Sequence, residues 1–173
     1  SMSGSFENID VPPTLVSFAV TTEKVENIVS GEFKEAGSKV ILVQPQYYEN
    51  KLPVTSSLLE CFDKVAKMVR EKRAKAVYTL TYGGIAEAVM KMAMGNGFGF
   101  EYENITLEDM FKYNYGAFLI EVADAKADEI VIGTVTEKRE FVFGGESVSA
   151  DEINKAYEDK LEKIFSCNIT HKD

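Results

Sequence analysis

Thr81, Gly83 and Gly84 set a hydroxyl and two glycines where an apolar, strand-like run gives way to a helical pattern. That is chemistry suited to an anion. A double glycine lets backbone N–H groups approach a ligand closely, and the first turn of a helix carries unpaired N–H donors at the positive end of its dipole. A phosphate oxygen fits such donors, and the Thr81 hydroxyl can donate to one as well. A Gly-Gly pair before a helix also makes a tight turn that lets strand and helix pack closely. Phosphate contact and simple packing are both compatible with these residues.

The other reactive side chains are scattered. Cys61 lies in a strongly helical segment beside Leu58, Phe62 and Val65 and reads as a packed thiol. Cys167 and the single histidine, His171, fall at or near a polar C-terminal end, where no Cys-His or Ser-His-Asp arrangement can be assembled. Met90, Met92 and Met94 read as core filler, because no metal-ligating partners accompany them. The acidic group Asp124, Asp128 and Glu129 reads as a solvated strand connection rather than a paired-carboxylate centre. Gly95 and Asn96 suit a helix C-cap. No catalytic residue and no metal-ligand set is assigned.

The elements that position the glycine turn follow from periodicity. Ala74 to Leu80 reads as the strand entering it, and Ile85, Val89 and Met92 mark the buried side of the helix leaving it. Upstream, residues 1–13, closed by Pro12-Pro13, read as an extended arm. Thr14 to Thr21 reads as a strand, with a short helix from Thr22-Glu23 through Val25, Ile28 and Val29. Ser38 to Gln44 reads as the next strand. The capping-box spacing of Ser57 and Glu60 predicts a helix to about Lys72 that buries Leu58, Phe62, Val65 and Val69. Downstream, Phe98, Phe100 and Tyr102 alternate as in a half-buried strand, and Thr106 caps a short helix. Ala117 to Val122, Glu129 to Thr136 and Glu140 to Phe143 read as strands, the last two forming a hairpin through Glu137-Lys138-Arg139. Ser149 to Glu152 is a capping box for a final helix carrying Ile153, Tyr157, Leu161, Ile164 and Phe165 on one face. Strands joined partly by helices and partly by hairpins predict an α+β fold, a mixed, partly antiparallel sheet covered by helices.

Composition narrows the function classes. A chain of 173 residues with 45% hydrophobic and 11% aromatic residues can build one sizeable core. A net charge of −9 disfavours a phosphate backbone, so no nucleic-acid partner is expected. Apolar runs such as Thr14 to Val20 fall short of the roughly 20 residues that span a bilayer, and two cysteines do not make a disulfide framework. No membrane partner and a cytoplasmic location are therefore expected.

Several stretches together resemble the phosphoribosylformylglycinamidine synthase family. They are Gly83-Gly84-Ile85-Ala86-Glu87-Ala88 with Lys91-Met92-Ala93-Met94-Gly95-Asn96, Asp10-Val11-Pro12-Pro13-Thr14-Leu15-Val16-Ser17-Phe18-Ala19-Val20 preceded by Ser1 to Phe6, Glu32 to Val40, and Asn114 to Phe118. The resemblance covers nearly the whole chain. It implies an AIR-synthase-related C-terminal domain lying between an ATPase-like domain and a glutaminase domain. On this reading residues 1–13 are a remnant of the preceding domain, 14–166 the domain itself and 167–173 a tail toward the glutaminase. The resemblance implies an excised domain, because relatives carry a Gly-Gly-Lys-Asp stretch just before the position of Ser1.

The activity implied is that of a ligase using ATP, magnesium and glutamine to convert formylglycinamide ribonucleotide to formylglycinamidine ribonucleotide in purine synthesis. This chain alone is expected to be inactive, because the resemblance implies that the catalytic histidine, most magnesium ligands and the glutaminase cysteine lie in the neighbouring domains. Its implied contribution is one wall of a nucleotide or ribonucleotide phosphate site, with Thr81, Gly83 and Gly84 as the contacts. Relatives carry His-Asp-x-Ser-Asp before the two glycines, where this chain has Tyr78-Thr79-Leu80-Thr81-Tyr82. Thr81 keeps a hydroxyl, but Thr79 replaces a magnesium-holding carboxylate and is a poor ligand for a hard cation. Met110-Phe111-Lys112-Tyr113 and Ala117 depart from Leu-Phe-Ser-Glu and an arginine, so the adjoining site is either built differently or structural. A stand-alone phosphate-binding module and a docking domain of the same fold stay open as alternatives. A homodimer would suit an isolated domain with exposed faces.

Overall fold

A computed structural model describes residues 2–164. Phe165, Cys167 and His171 lie outside the described residues. The chain opens with an antiparallel hairpin, β1 (Met2–Phe6) and β2 (Ile9–Thr14), turning at Glu7, whose φ is 52°. Pro12 and Pro13 are tolerated there because a two-stranded ribbon has a free edge on each strand.

The strand expected over Thr14 to Thr21 does not form. β2 ends at Thr14, and residues 15–24 have no regular structure. Leu15, Val16, Phe18 and Val20 are 71% to 85% exposed. A strand exists only where a neighbour takes its N–H and C=O groups, and among the described residues none lies alongside. The helix expected after Thr22 shrinks to one 3-10 turn, Val25–Asn27, with Val25 and Ile28 exposed. Without a surface to pack against, a single turn has nothing to offset its nucleation cost.

The packed body follows. Its elements are β3 (Lys39–Val43), α1 (Thr55–Arg70), β4 (Ala76–Thr79), α2 (Gly84–Asn96), β5 (Gly99–Tyr102), α3 (Leu107–Phe111), β6 (Phe118–Val122), β7 (Ile130–Thr136), β8 (Glu140–Phe143), β9 (Glu146–Ser149) and α4 (Ala150–Glu158). Seven strands form one sheet in the order β4-β6-β3-β7-β5-β8-β9, antiparallel throughout except for the parallel pair β5 and β8. The fold is therefore α+β with a mixed sheet covered by helices.

Alternation along the central strands divides the core in two. Val40 and Leu119 face a cluster containing Ile85, Val89 and Met92 of α2, while Ile41 and Ile120 face one containing Cys61, Val65 and Met68 of α1. The Cys61 thiol is buried, and that burial raises its pKa. α1 starts earlier than its capping-box spacing suggests. Val54 is the N-cap, and the Ser57 hydroxyl instead accepts from the Gln46 N–H at 2.9 Å. The buried stripe is correspondingly rotated to Cys61, Val65 and Met68, leaving Phe62 44% exposed against the edge of Phe118.

β7 and β8 are not a hairpin, because β5 already occupies the free edge of β7. The connection between them crosses the start of β5, where a side chain at Gly99 would stand 1.8 Å from the Lys138 carbonyl oxygen. The real hairpin is β8 with β9, turning on Gly144 (φ 59°) and Gly145 (φ 87°), a positive-φ pair that suits a two-residue turn. α2 ends one residue later than expected. Its cap is Gly97 at φ 72°, while Asn96 donates its side-chain amide to the Phe33 carbonyl at 2.8 Å. Thr106 and Ser149 cap α3 and α4 by accepting from the N–H groups of Asp109 and Asp151.

Two buried carboxylates pin loops to this body. Glu121, fully buried on β6, accepts from the N–H groups of Lys34 and Glu35 at 2.8 and 3.0 Å. Glu129 is not part of a solvated connection. Its side chain is 3% exposed, and the Arg73 guanidinium donates to both carboxylate oxygens at 2.5 Å, holding the carboxyl down at about 2. Among the described residues no helix is long and apolar enough to cross a membrane.

Candidate functional site

β4 delivers the chain to Leu80, a buried residue of the core, and the next four residues turn it into α2. Gly84 is needed for two reasons. Its φ is +65°, and a Cβ there would lie 2.7 Å from the Lys112 carbonyl oxygen and 2.8 Å from that of Met110. The end of α3 therefore lies against the start of α2, a packing that any larger residue would block. The Gly84 N–H donates to the Thr81 carbonyl at 3.1 Å, closing the turn.

Thr81 and Gly83 are brought together, and their donors converge on one point. That point is the carboxylate of Glu87. Its Oε2 accepts from the Thr81 hydroxyl at 2.7 Å and from the Gly83 N–H at 2.7 Å, and its Oε1 accepts from the Lys91 ammonium at 2.5 Å. Lys91 and Thr81 together hold the Glu87 carboxyl down at about 2, and Glu87 in turn raises the Lys91 pKa. A Cβ on Gly83 would meet the Glu87 Cβ at 2.5 Å, so this glycine leaves room for the carboxylate to fold back. The helix start thus holds an anion supplied by its own first turn, the charge its dipole favours.

Glu87 and Lys91 had no assigned role in the sequence reading. Their signal is a carboxylate in the first turn of a helix with a lysine four residues on, a spacing common on helix surfaces. Only the strained glycine turn folds that carboxylate back.

Magnesium does not fit this turn. Its donors are N–H and hydroxyl groups, its carboxylate is committed to Lys91, and Thr79 is exposed. Among the described residues no group of three His, Cys, Asp or Glu side chains could hold a metal ion. On one side of the turn Tyr82 meets Tyr113 edge-on, with ring centroids 5.2 Å apart, and Tyr113 stacks on Tyr115 at 5.7 Å. On the other side a cavity of about 680 Å³ runs from Gly83 to the β8–β9 hairpin and α4.

The chain matches no protein-family model. It is 24% identical to phosphoribosylformylglycinamidine synthase subunit PurL of Methanobrevibacter smithii, in a match covering 92% of this chain and 28% of that subunit. Its fold is similar to that of PurL from T. maritima complexed with FGAR (TM-score 0.63, 10% identity, 75% of this chain and 30% of that one). The T. maritima PurL complex with ATP is also similar (TM-score 0.58, 13% identity, 73% and 27%). The chain spans less than a third of the length of each of these proteins, and what it shares with the solved structures is the mixed α+β fold.

Proposed function

We propose that this chain is part of an ATP- and glutamine-dependent ligase of the phosphoribosylformylglycinamidine synthase type, acting in purine synthesis in the cytoplasm. The observation that carries the reading is the similarity to M. smithii PurL along 92% of the chain. The T. maritima relatives, whose fold is similar, are complexed with FGAR and with ATP. In this reading residues 14–166 are the domain between ATPase-like and glutaminase partners, with residues 1–13 and 167–173 reaching toward them. The chain alone catalyses neither amidation nor glutamine hydrolysis. Thr81, Gly83 and Gly84 form one wall of a site for a nucleotide or ribonucleotide phosphate.

The Glu87 carboxylate favours a second form of this reading. It already uses the Thr81 hydroxyl and the Gly83 N–H, so a phosphate reaches those donors only when Glu87 turns away. A wall kept shut in this way is structural. Thermal-shift titration with ATP plus magnesium, and with formylglycinamide ribonucleotide, on the chain and on Glu87→Gln separates the two. A ligand at about 100 times its dissociation constant stabilises the folded state by roughly 2.7 kcal/mol. Stabilisation of the unaltered chain supports an open phosphate wall. Stabilisation of Glu87→Gln alone supports a shut one, and stabilisation of neither removes phosphate binding from this domain.

A further inference from the structure

The cavity beside the glycine turn has no role in the reading above. At about 680 Å³ it falls within the range of small-molecule sites, roughly 300 to 1,000 Å³. Aromatic side chains dominate its walls: Tyr102 of β5, Phe141 and Phe143 of β8, Phe111 of α3 and Tyr157 of α4. Phe111 and Tyr157 are half or more exposed and stand at the mouth, whereas Phe141 is buried at the base. The charged side chains bordering it offset one another. Glu87 is paired with Lys91, and the lining also contains one further charge of each sign, Glu146 and Lys160. Such a lining selects for a flat, uncharged molecule.

Tyr102 supplies the polar feature. Its ring packs edge-on against Phe100 at 4.9 Å and Phe143 at 6.3 Å. Tyr102 is half-buried in the cavity wall, and no described residue engages its hydroxyl. An acceptor brought in by a ligand would satisfy it.

We infer that this cavity binds a neutral planar heteroaromatic molecule of one or two rings, stacked on the flanking aromatic side chains and accepting a hydrogen bond from the Tyr102 hydroxyl. The cavity borders the glycine turn through Gly83 and Glu87, and the contacts inferred for the ligand lie on its aromatic walls rather than on the turn's donors. Two uncharged probes test it on the full chain by saturation-transfer NMR and calorimetric titration: adenosine, whose ring nitrogens accept, and indole, which offers only a donor. Both are expected to bind saturably, adenosine the more tightly. Tyr102→Phe should weaken adenosine about five- to tenfold, the loss of one hydrogen bond, and leave indole unchanged. Ala86→Leu, which fills the α2 side of the cavity, should abolish both with the melting temperature retained. Neither probe carries a phosphate, which keeps this result separate from the phosphate titration. The inference is overturned if neither probe binds, or if Tyr102→Phe and Ala86→Leu leave binding intact. It is overturned equally if adenosine binds only after residues 165–173 are removed, because that segment is then the occupant.

Discussion

The sheet body and the N-terminal arm contain the same kind of residue in opposite surroundings. In β3, Val40 and Ile41 are fully buried between two helical layers. In the structure the arm extends past Pro13 through the irregular residues 15–24, where Leu15, Val16, Phe18 and Val20 follow a similar pattern and are 71% to 85% exposed. The difference lies in the neighbours. β3 is flanked by β6 and β7, which take its backbone groups on both edges, while the arm's one ladder is between β1 and β2 and stops at Thr14. Strand propensity describes a side chain that fits a pleated, half-covered surface, and it yields a strand only where that surface is present.

The largest expected effect that sharpens this contrast is in the body. Arg73→Ala leaves Glu129 buried without its cation, and breaking such a pair costs about 3–5 kcal/mol. Urea unfolding followed by circular dichroism should show that loss, while amide exchange over residues 15–24 stays as fast as before. Next, Gly84→Ala forces a non-glycine residue to φ +65° and drives its Cβ into the Lys112 and Met110 carbonyls. A loss of about 1–3 kcal/mol is expected, read from the same unfolding midpoint.

Smaller is the effect of Glu87→Gln, which removes charge from the helix start. The native carboxyl is depressed from 4.5 to about 2, so its stabilisation is complete above pH 4.5 and is lost as the pH falls through about 2. Melting curves of the two proteins should therefore differ at pH 7 and converge toward pH 2. A difference that persists at the acid end would show that packing, not charge, holds Glu87 in place. The smallest effect belongs to the arm. Phe18→Asp should change body stability by no more than about 0.5 kcal/mol, because the ring is 85% exposed. If instead the unfolding midpoint drops by several times that amount, the arm is part of the body and the contrast fails.

Much of the body was legible because its signals are local. The apolar period of α2, the Thr106 and Ser149 caps and the alternation around Phe100 depend on residues within a few positions of one another. The β7–β8 hairpin is not legible locally because the pairing that replaces it depends on β5, far away in sequence, whereas Gly144-Gly145 marks the true turn. The arm strand was misread because its pattern carries no record of what covers it. At the candidate site the three residues Thr81, Gly83 and Gly84 could be picked out from type and spacing. The carboxylate that engages two of them could not, because Glu87 sits in a Glu-Lys spacing that ordinarily faces solvent. Glu121 was hidden for a related reason. A glutamate on a strand reads as a solvent-facing residue until two backbone N–H groups from a distant loop are placed on its oxygens.

The parallel seam between β5 and β8 is short. β8 and β9 attach to the rest of the sheet through the pairing of Phe100 with Phe141 and of Glu101 with Val142. The terminal hairpin also packs into the core through Phe141, and α4 through Ala150 and Ile153. Because Phe141, Phe143 and Tyr157 belong to this edge hairpin and to α4, one wall of the aromatic cavity rests on a single two-residue seam, and amide exchange in β8 is the measurement that reads how firmly that wall is held.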